Sequence, residues 1–383
     1  MNKKQKLRPV KKIPGEIRLP EEKIPIWSLI LLGICALSVI ILLIARKNSD
    51  FAEFFNQNIS AALRAFLAFV TNLVPFSIAE FLILFLPVTL ILLTVYAIRH
   101  KTGSWRSVCS YTVSLIAAAS VIFSLFVLVY GVGYHTPRLE QRLPLENSEV
   151  SAKELAETAE KIVDEMNDYL WLISYRNDGA SIMPYTVSQM NDKLMDAYEK
   201  IAEKYDFISS HKSKVKPVLL SVPMSYAHFT GFYTFFTGEA NINVHFPDYT
   251  IPFTAAHELA HGRGIARENE ANFMAFLVCM ESDDPYIRYC GLLNMYEYIM
   301  SALYTADTDE GKPLYSKIAA LPDKRIRGEL SAYAEFFEKY RDSNVSEISG
   351  AINDSFLKAN GTEEGEKSYG LVVNLAVSYY KKR

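Results

Sequence analysis

Four cysteines in 383 residues are too few for a disulfide framework. Cys35 and Cys109 fall in apolar spans. Cys279 and Cys290 have the option of pairing but read better as packed thiols. Net charge is lacking too: 40 Lys+Arg stand against 43 Asp+Glu, a formal −3. That balance excludes a strongly basic nucleic-acid binder. Disorder is excluded because 13% aromatic and 50% hydrophobic residues supply a packed core. Internal repeats and low-complexity tracts are absent. What the chain has in excess is apolar sequence, and most of it precedes residue 135.

Residues 1–25 form a basic tail in which Pro9, Pro14, Pro20 and Pro25 oppose a stable helix. The stretch 26–45 then carries no charge over the ~20 residues needed to cross a bilayer. No small-residue cleavage site follows, so a retained anchor is expected rather than a signal peptide. Further spans are predicted over about 78–98, with Glu80 at its edge and Pro87 inside, and over about 109–132. Trp27 and Trp105 sit near span ends, where indole rings favour the interface. Between the first two spans, Phe51, Phe55, Ile59, Leu63, Phe66 and Val70 recur at helical spacing, with Asn56, Gln57, Arg64 and Asn72 among the intervening positions. This predicts an amphipathic helix over about 51–74 lying in the membrane surface and ended by Pro75. A fourth span is the alternative, and it would reverse the topology. Lys and Arg in the tail and in the 99–106 loop place the amino terminus of a multi-pass cell-membrane protein in the cytoplasm. Residues 135–383 are then extracytoplasmic.

That second region reads as one α+β, mostly helical domain. Ser151 with Glu154, and Thr186 with Gln189, form capping-box patterns ahead of amphipathic stretches. In 240–246, Ile242, Val244 and Phe246 alternate with Asn241, Asn243 and His245, which predicts a half-exposed strand. Its polar side either lines a cleft or faces solvent.

Residues 257–261 read His-Glu-Leu-Ala-His. Four residues advance a helix by about 400°, so His257 and His261 share one face and can share one Zn²⁺. Glu258 is offset but able to reach a water on the metal, whose pKa falls to about 7, and to take its proton as general base. Pro252 suits the first turn of this helix, and Gly262 and Gly264 its end. A catalytic zinc usually takes three protein ligands. The sequence after His261 turns and starts a second helix near Arg267. Glu268 on it is the expected third ligand, with Glu270 as the alternative and Asn272 supporting a ligand histidine from outside the coordination sphere. His228, Tyr226 and Tyr369 are candidates for stabilising an oxyanion, each also readable as a packed or surface residue. Because the flanks of the motif are polar, it is expected to lie far from the spans, which argues against intramembrane proteolysis.

The run from Glu268 to Ala275 after the histidines resembles the E-x-x-A-D/N pattern of gluzincins such as membrane-bound CAAX-type proteases and ImmA/IrrE-like zincins. In those families the first Glu is the metal ligand, which the resemblance would assign to Glu268. More closely, KPVLLS, TGFYTFFTGEANINVHFPDYTIPFTAAHELAH and ARENEANFMAFL are similar to a bacterial membrane family, domain of unknown function 3810. The order of the spans and the GYHTPRL after them agree. This resemblance implies a zincin-like membrane protein and gives no substrate. Arg267 stands where a metzincin would place a third His, which argues against that class. The expected function is a membrane-anchored, zinc-dependent metallohydrolase acting on a peptide or protein. A non-catalytic binding or sensory module with a structural zinc is the alternative, and a transporter is a weaker rival.

Overall fold

The computed structural model describes residues 23–100, 104–145, 148–306, 311–341, 350–351, 355 and 369–383. Helix α1 (Ile26–Lys47) leads into α2 (Ser49–Phe55), a π turn (Asn56–Ser60) and α3 (Ala61–Thr71). Then come α4 (Ile78–His100) and α5 (Trp105–Leu125), the latter prolonged by a π turn (Phe126–Tyr130) and a 3₁₀ turn (Gly131–His135). Among the described residues, three helical stretches are long and apolar enough to cross a membrane: Ile26–Lys47, Ile78–His100 and Trp105–His135. The first two match the sequence expectation closely; the third is longer than 109–132, starting at Trp105 and carried by irregular turns to His135. Small residues mediate the contact of α1 with α5, where Ser28, Ser38, Ala45, Ser110, Ala117 and Ser120 are buried. By contrast, α4 holds its apolar side chains outward all round, and only Ala79 and Glu80 at its start are buried.

The helix expected over 51–74 is α2, a π turn and α3, and its polar side packs against the protein instead of facing water. Asn56, Ser60, Arg64, Ala68 and Thr71 are buried, while Phe54, Ile59, Phe66, Phe69 and Leu73 are exposed. The physical reason is the solvent. A segment against lipid must satisfy its polar groups inward, and small side chains there allow close packing. Arg64, 1% exposed, donates to Asn56 Oδ1 and Asn56 O, both at 2.9 Å, and to Val129 O at 2.7 Å.

Beyond the membrane region a short helix α6 (Leu139–Arg142) precedes α7 (Ala152–Tyr169) and α8 (Val187–Lys204). Both long helices open with the expected capping boxes: Glu154 accepts from Ser151 N at 2.8 Å, and Gln189 from Thr186 N at 2.9 Å. A small sheet follows, made of β1 (Val215–Pro217), then after α9 (Ser221–Tyr226), β2 (Gly231–Thr234) and β3 (Glu239–Ile242). Its order is β1-β3-β2. Val215 pairs with Ala240 in parallel, and Phe232 with Asn241 antiparallel. The expected 240–246 strand is therefore shorter, and it is the central strand, not an edge.

Helices α10 (Thr250–Gly262), α11 (Glu268–Glu281) and α12 (Pro285–Thr305) build the core with α7 and α8. Around it lie α13 (Gly311–Ala319), α14 (Lys324–Glu338) and α15 (Tyr369–Lys382). Leu155, Ile162, Leu194, Phe273, Phe276 and Ile299 are fully enclosed there. Cys279 and Cys290 are buried free thiols in the same core.

Buried charge joins the two regions. Lys216 Nζ donates to Glu239 Oε1 at 2.5 Å, to Thr71 O at 2.7 Å and to Phe76 O at 3.0 Å. Glu239 also accepts from Ile78 N and Ala79 N, so a carboxylate from the sheet caps the start of α4. Glu80, at the edge of the second span, is buried and accepts from Leu219 N and Leu220 N at 2.9 and 2.7 Å. Arg142 pairs with Glu53 of α2 nearby.

Candidate metal centre

Helix α10 ends in a reversal that only glycine accommodates. Gly264 has φ +92°, and Ile265 N bonds back to Ala260 O at 3.2 Å, as in a Schellman turn. A Cβ on Gly264 would also meet Arg64 Nη2 at 2.6 Å and Asn56 Nδ2 at 2.8 Å. The reversal sends the chain back along α10, so Glu268, the first residue of α11, faces the two histidines.

His257 Nε2 lies 3.1 Å from His261 Nε2 and 3.1 Å from Glu268 Oε2, and the third separation is 3.5 Å. Two imidazole nitrogens facing each other and one carboxylate oxygen form a donor set without enough protons to link every pair. Tetrahedral ligands at about 2.0–2.1 Å from one ion stand about 3.3–3.4 Å apart, so these residues fit a zinc-sized cation. Glu270 is turned away. It is buried in an ion pair with Arg267 at 2.8 Å and accepts from Leu139 N at 3.1 Å. Asn272 lines the same cavity but hydrogen-bonds to neither imidazole, so the expected support for a ligand histidine is supplied otherwise. Ile265 O lies 2.7 Å from His261 Nδ1, and the Tyr130 hydroxyl lies 3.0 Å from it while donating to Ala266 O at 3.1 Å. With the proton on Nδ1, both contacts are satisfied and Nε2 keeps its lone pair for a metal. His257 Nδ1 is buried without a hydrogen-bond partner among the described residues.

Glu258 is 5% exposed, and its carboxylate lies against the backbone of β2. A Cβ on Gly231 would stand 2.7 Å from Glu258 Oε1 and 2.9 Å from Asn241 O. Burial pushes the Glu258 carboxyl up to about 7, against the opposing pull of His257 and His261. Burial would lower His261, but the carboxylates of Glu268 and Glu258 outweigh it and raise the imidazole to about 9. Glu268 shows the reciprocal effect: burial pushes it upward, yet the two histidines hold it well below the usual carboxylate range.

The triad opens on a cavity of about 990 Å³. Its wall includes Gly231, Phe232 and Tyr233 of β2, which is one of the sheet's two edge strands. The Tyr233 hydroxyl is buried without a partner among the described residues.

Several sequence expectations are corrected at this site. The motif is not far from the spans. Tyr130 and Tyr134, at the end of the third apolar helix, line the cavity, and the Arg64–Asn56 pair reaches the Gly264 turn, with Asn56 Nδ2 donating to Gly264 O at 3.1 Å. The irregular turns after residue 125 carry the chain out of the apolar run and onto α10. Asn241 and Asn243 do not line a cleft. They are buried, and their amides donate to backbone and to Ser225 within the sheet region. His245 Nδ1 likewise lies 3.2 Å from Ser225 Oγ. Of the oxyanion candidates, Tyr226 packs edge-on to Tyr340. His228, at φ 59°, lines the cavity with its Nε2 on Tyr340 O at 2.9 Å. The side chain of Tyr369 lies outside the described residues. Sequence reasoning missed Tyr130, Tyr233, Gly231 and the role of Arg64. One signal was available: an arginine within an apolar helix calls for a buried partner.

No curated protein and no solved structure matches the chain. A family model described as "Protein of unknown function (DUF3810)" matches residues 55–377, and the chain belongs to that family.

Proposed function

We propose that the chain is a membrane-anchored, zinc-dependent metallohydrolase, in particular a peptidase with a zincin-like site. The observation that carries this reading is the convergence of His257 Nε2, His261 Nε2 and Glu268 Oε2 within 3.5 Å of one another, beside buried Glu258 and an edge strand. A zinc ion held by His257, His261 and Glu268 would supply a Lewis acid and would lower the pKa of a water to about 7. Glu258 acts as general base and then returns the proton to the leaving nitrogen. The free edge of β2 takes an extended polypeptide as an added strand and lays its scissile carbonyl against the triad. Ile265 O and Tyr130 hold His261 in the tautomer that exposes Nε2. The basic tail and the 99–106 loop put the amino terminus in the cytoplasm and the cavity on the other side.

Glu258→Gln tests the mechanism in the full-length protein. It is expected to keep one zinc per chain and to lower peptide hydrolysis by about 10²–10⁴-fold. Unchanged turnover with zinc bound would remove Glu258 from the chemistry.

A further inference from the structure

The cavity runs beyond the triad to the membrane helices. Its wall passes from His257 and Glu268 along β2 to Leu220, Met224 and Phe229, and closes against Glu80 and Ile83 of α4. Ile83 lies one helical turn inside a stretch long and apolar enough to span a bilayer, and its side chain is exposed. The 218–229 segment is tied to that same point through the Glu80 carboxylate, and it turns bare apolar groups outward beside it. Leu219 is 87% exposed, Val222 46% and Phe229 40%. Apolar side chains left uncovered beside a lipid-facing helix belong at the bilayer surface. The cavity that holds the metal ligands therefore also reaches the start of the apolar run of α4.

We propose, resting on the hydrolase reading, that the substrate is a polypeptide held in the same bilayer by an apolar anchor and cut in the extended segment next to it. The anchor stays in lipid beside Ile83 and Leu219, and the adjoining residues run along β2 to Glu258. A water-borne peptide has no use for a lipid-level opening. An anchored one is concentrated in the plane of the membrane, and its anchor need not leave lipid for the cut to be made. A transmembrane helix and an acyl chain present the same chemistry to this opening, and the experiment separates them.

The test uses the full chain, zinc-loaded, in lipid nanodiscs, with a randomised decapeptide library in three forms: free, palmitoylated, and joined to a polyleucine transmembrane helix. The proposal predicts kcat/KM at least tenfold higher for one or both anchored forms than for the free one. Palmitoylated substrate alone being favoured identifies the acyl chain; the helical form alone identifies a transmembrane anchor. A binding readout independent of turnover uses Glu258→Gln with a photoreactive benzophenone residue at Ile83, compared with one at Leu92, which is lipid-exposed and outside the cavity. Anchored peptides are expected to crosslink at position 83 several-fold more than at 92. Equal cleavage of free and anchored forms, or equal crosslinking at the two positions, overturns the proposal and leaves the peptidase reading standing. A zinc-loaded chain that cleaves none of the three overturns the hydrolase reading and this proposal with it.

Discussion

Glu268 and Glu270 stand two residues apart on one helix and face opposite environments. Glu268 shares the space between His257 and His261, while Glu270 neutralises Arg267 and receives the Leu139 amide inside the fold. Their removal therefore has different consequences. Glu268→Gln is expected to weaken zinc binding by at least tenfold. Glu270→Gln is expected to cost about 3 kcal/mol of stability, by leaving Arg267 partly unpaired, and to spare zinc content. Metal analysis and thermal unfolding on both variants check this; the reverse pattern would exchange their roles. The His257/His261 pair was legible because helical geometry fixes any i, i+4 pair on one face. The choice between Glu268 and Glu270 was not, because it depends on where the Gly264 reversal releases the chain into α11.

A second residue-scale consequence concerns pH. Glu297 on α12 accepts from the Tyr249 hydroxyl at 3.0 Å, and burial pushes its carboxyl up to about 7. A raised folded-state pKa on an acid means the folded chain holds a proton that the unfolded chain gives up near pH 4.5. The resulting stability is complete below that pH and is lost as pH rises through about 7. Glu329, also raised by burial, acts in the same direction. Glu297→Gln should remove its share. Between pH 5 and pH 8 the variant is expected to lose less stability than the parent, by on the order of 1 kcal/mol. Parallel pH profiles for the two proteins would contradict this.

At the level of elements, α2 and α3 show how a correct periodicity leaves open what covers the polar side. The apolar stripe of 51–74 was visible in the sequence, but which side faces inward depends on the surrounding solvent. Against lipid the polar stripe goes in, where Asn56 and Arg64 hold the turn that follows His261. The 240–246 alternation failed for a related reason. Asn241 and Asn243 look like a solvent face, yet they satisfy backbone groups within the sheet, and one of its two edges is β2, whose Gly231 makes room for Glu258. Arg64→Met tests the coupling. It leaves Asn56 Oδ1 and Val129 O short of a donor, at about 1–3 kcal/mol. Zinc release to a chelator should accelerate several-fold, because the Gly264 turn loses its support. A destabilised chain with unaltered zinc release would mean that the membrane helices do not position the metal site.

For the whole molecule, the division into apolar spans and a helical domain was readable from hydropathy, and the metal motif from spacing. Their contact was not. It is made by irregular turns at 126–135, by the buried Lys216–Glu239 pair and by Glu80 on the Leu219 and Leu220 amides, groups distant in sequence with no shared pattern. The consequence is one unit in which the end of the third apolar helix touches a candidate metal ligand through Tyr130. The most direct test is zinc stoichiometry with zinc-edge X-ray absorption on the full-length protein. The account predicts one zinc per chain, with two imidazole nitrogens and a carboxylate oxygen at about 2.0–2.2 Å, and loss of that signal in His257→Ala. A chain that takes up no zinc, or one whose zinc environment is unchanged by His257→Ala, would contradict it.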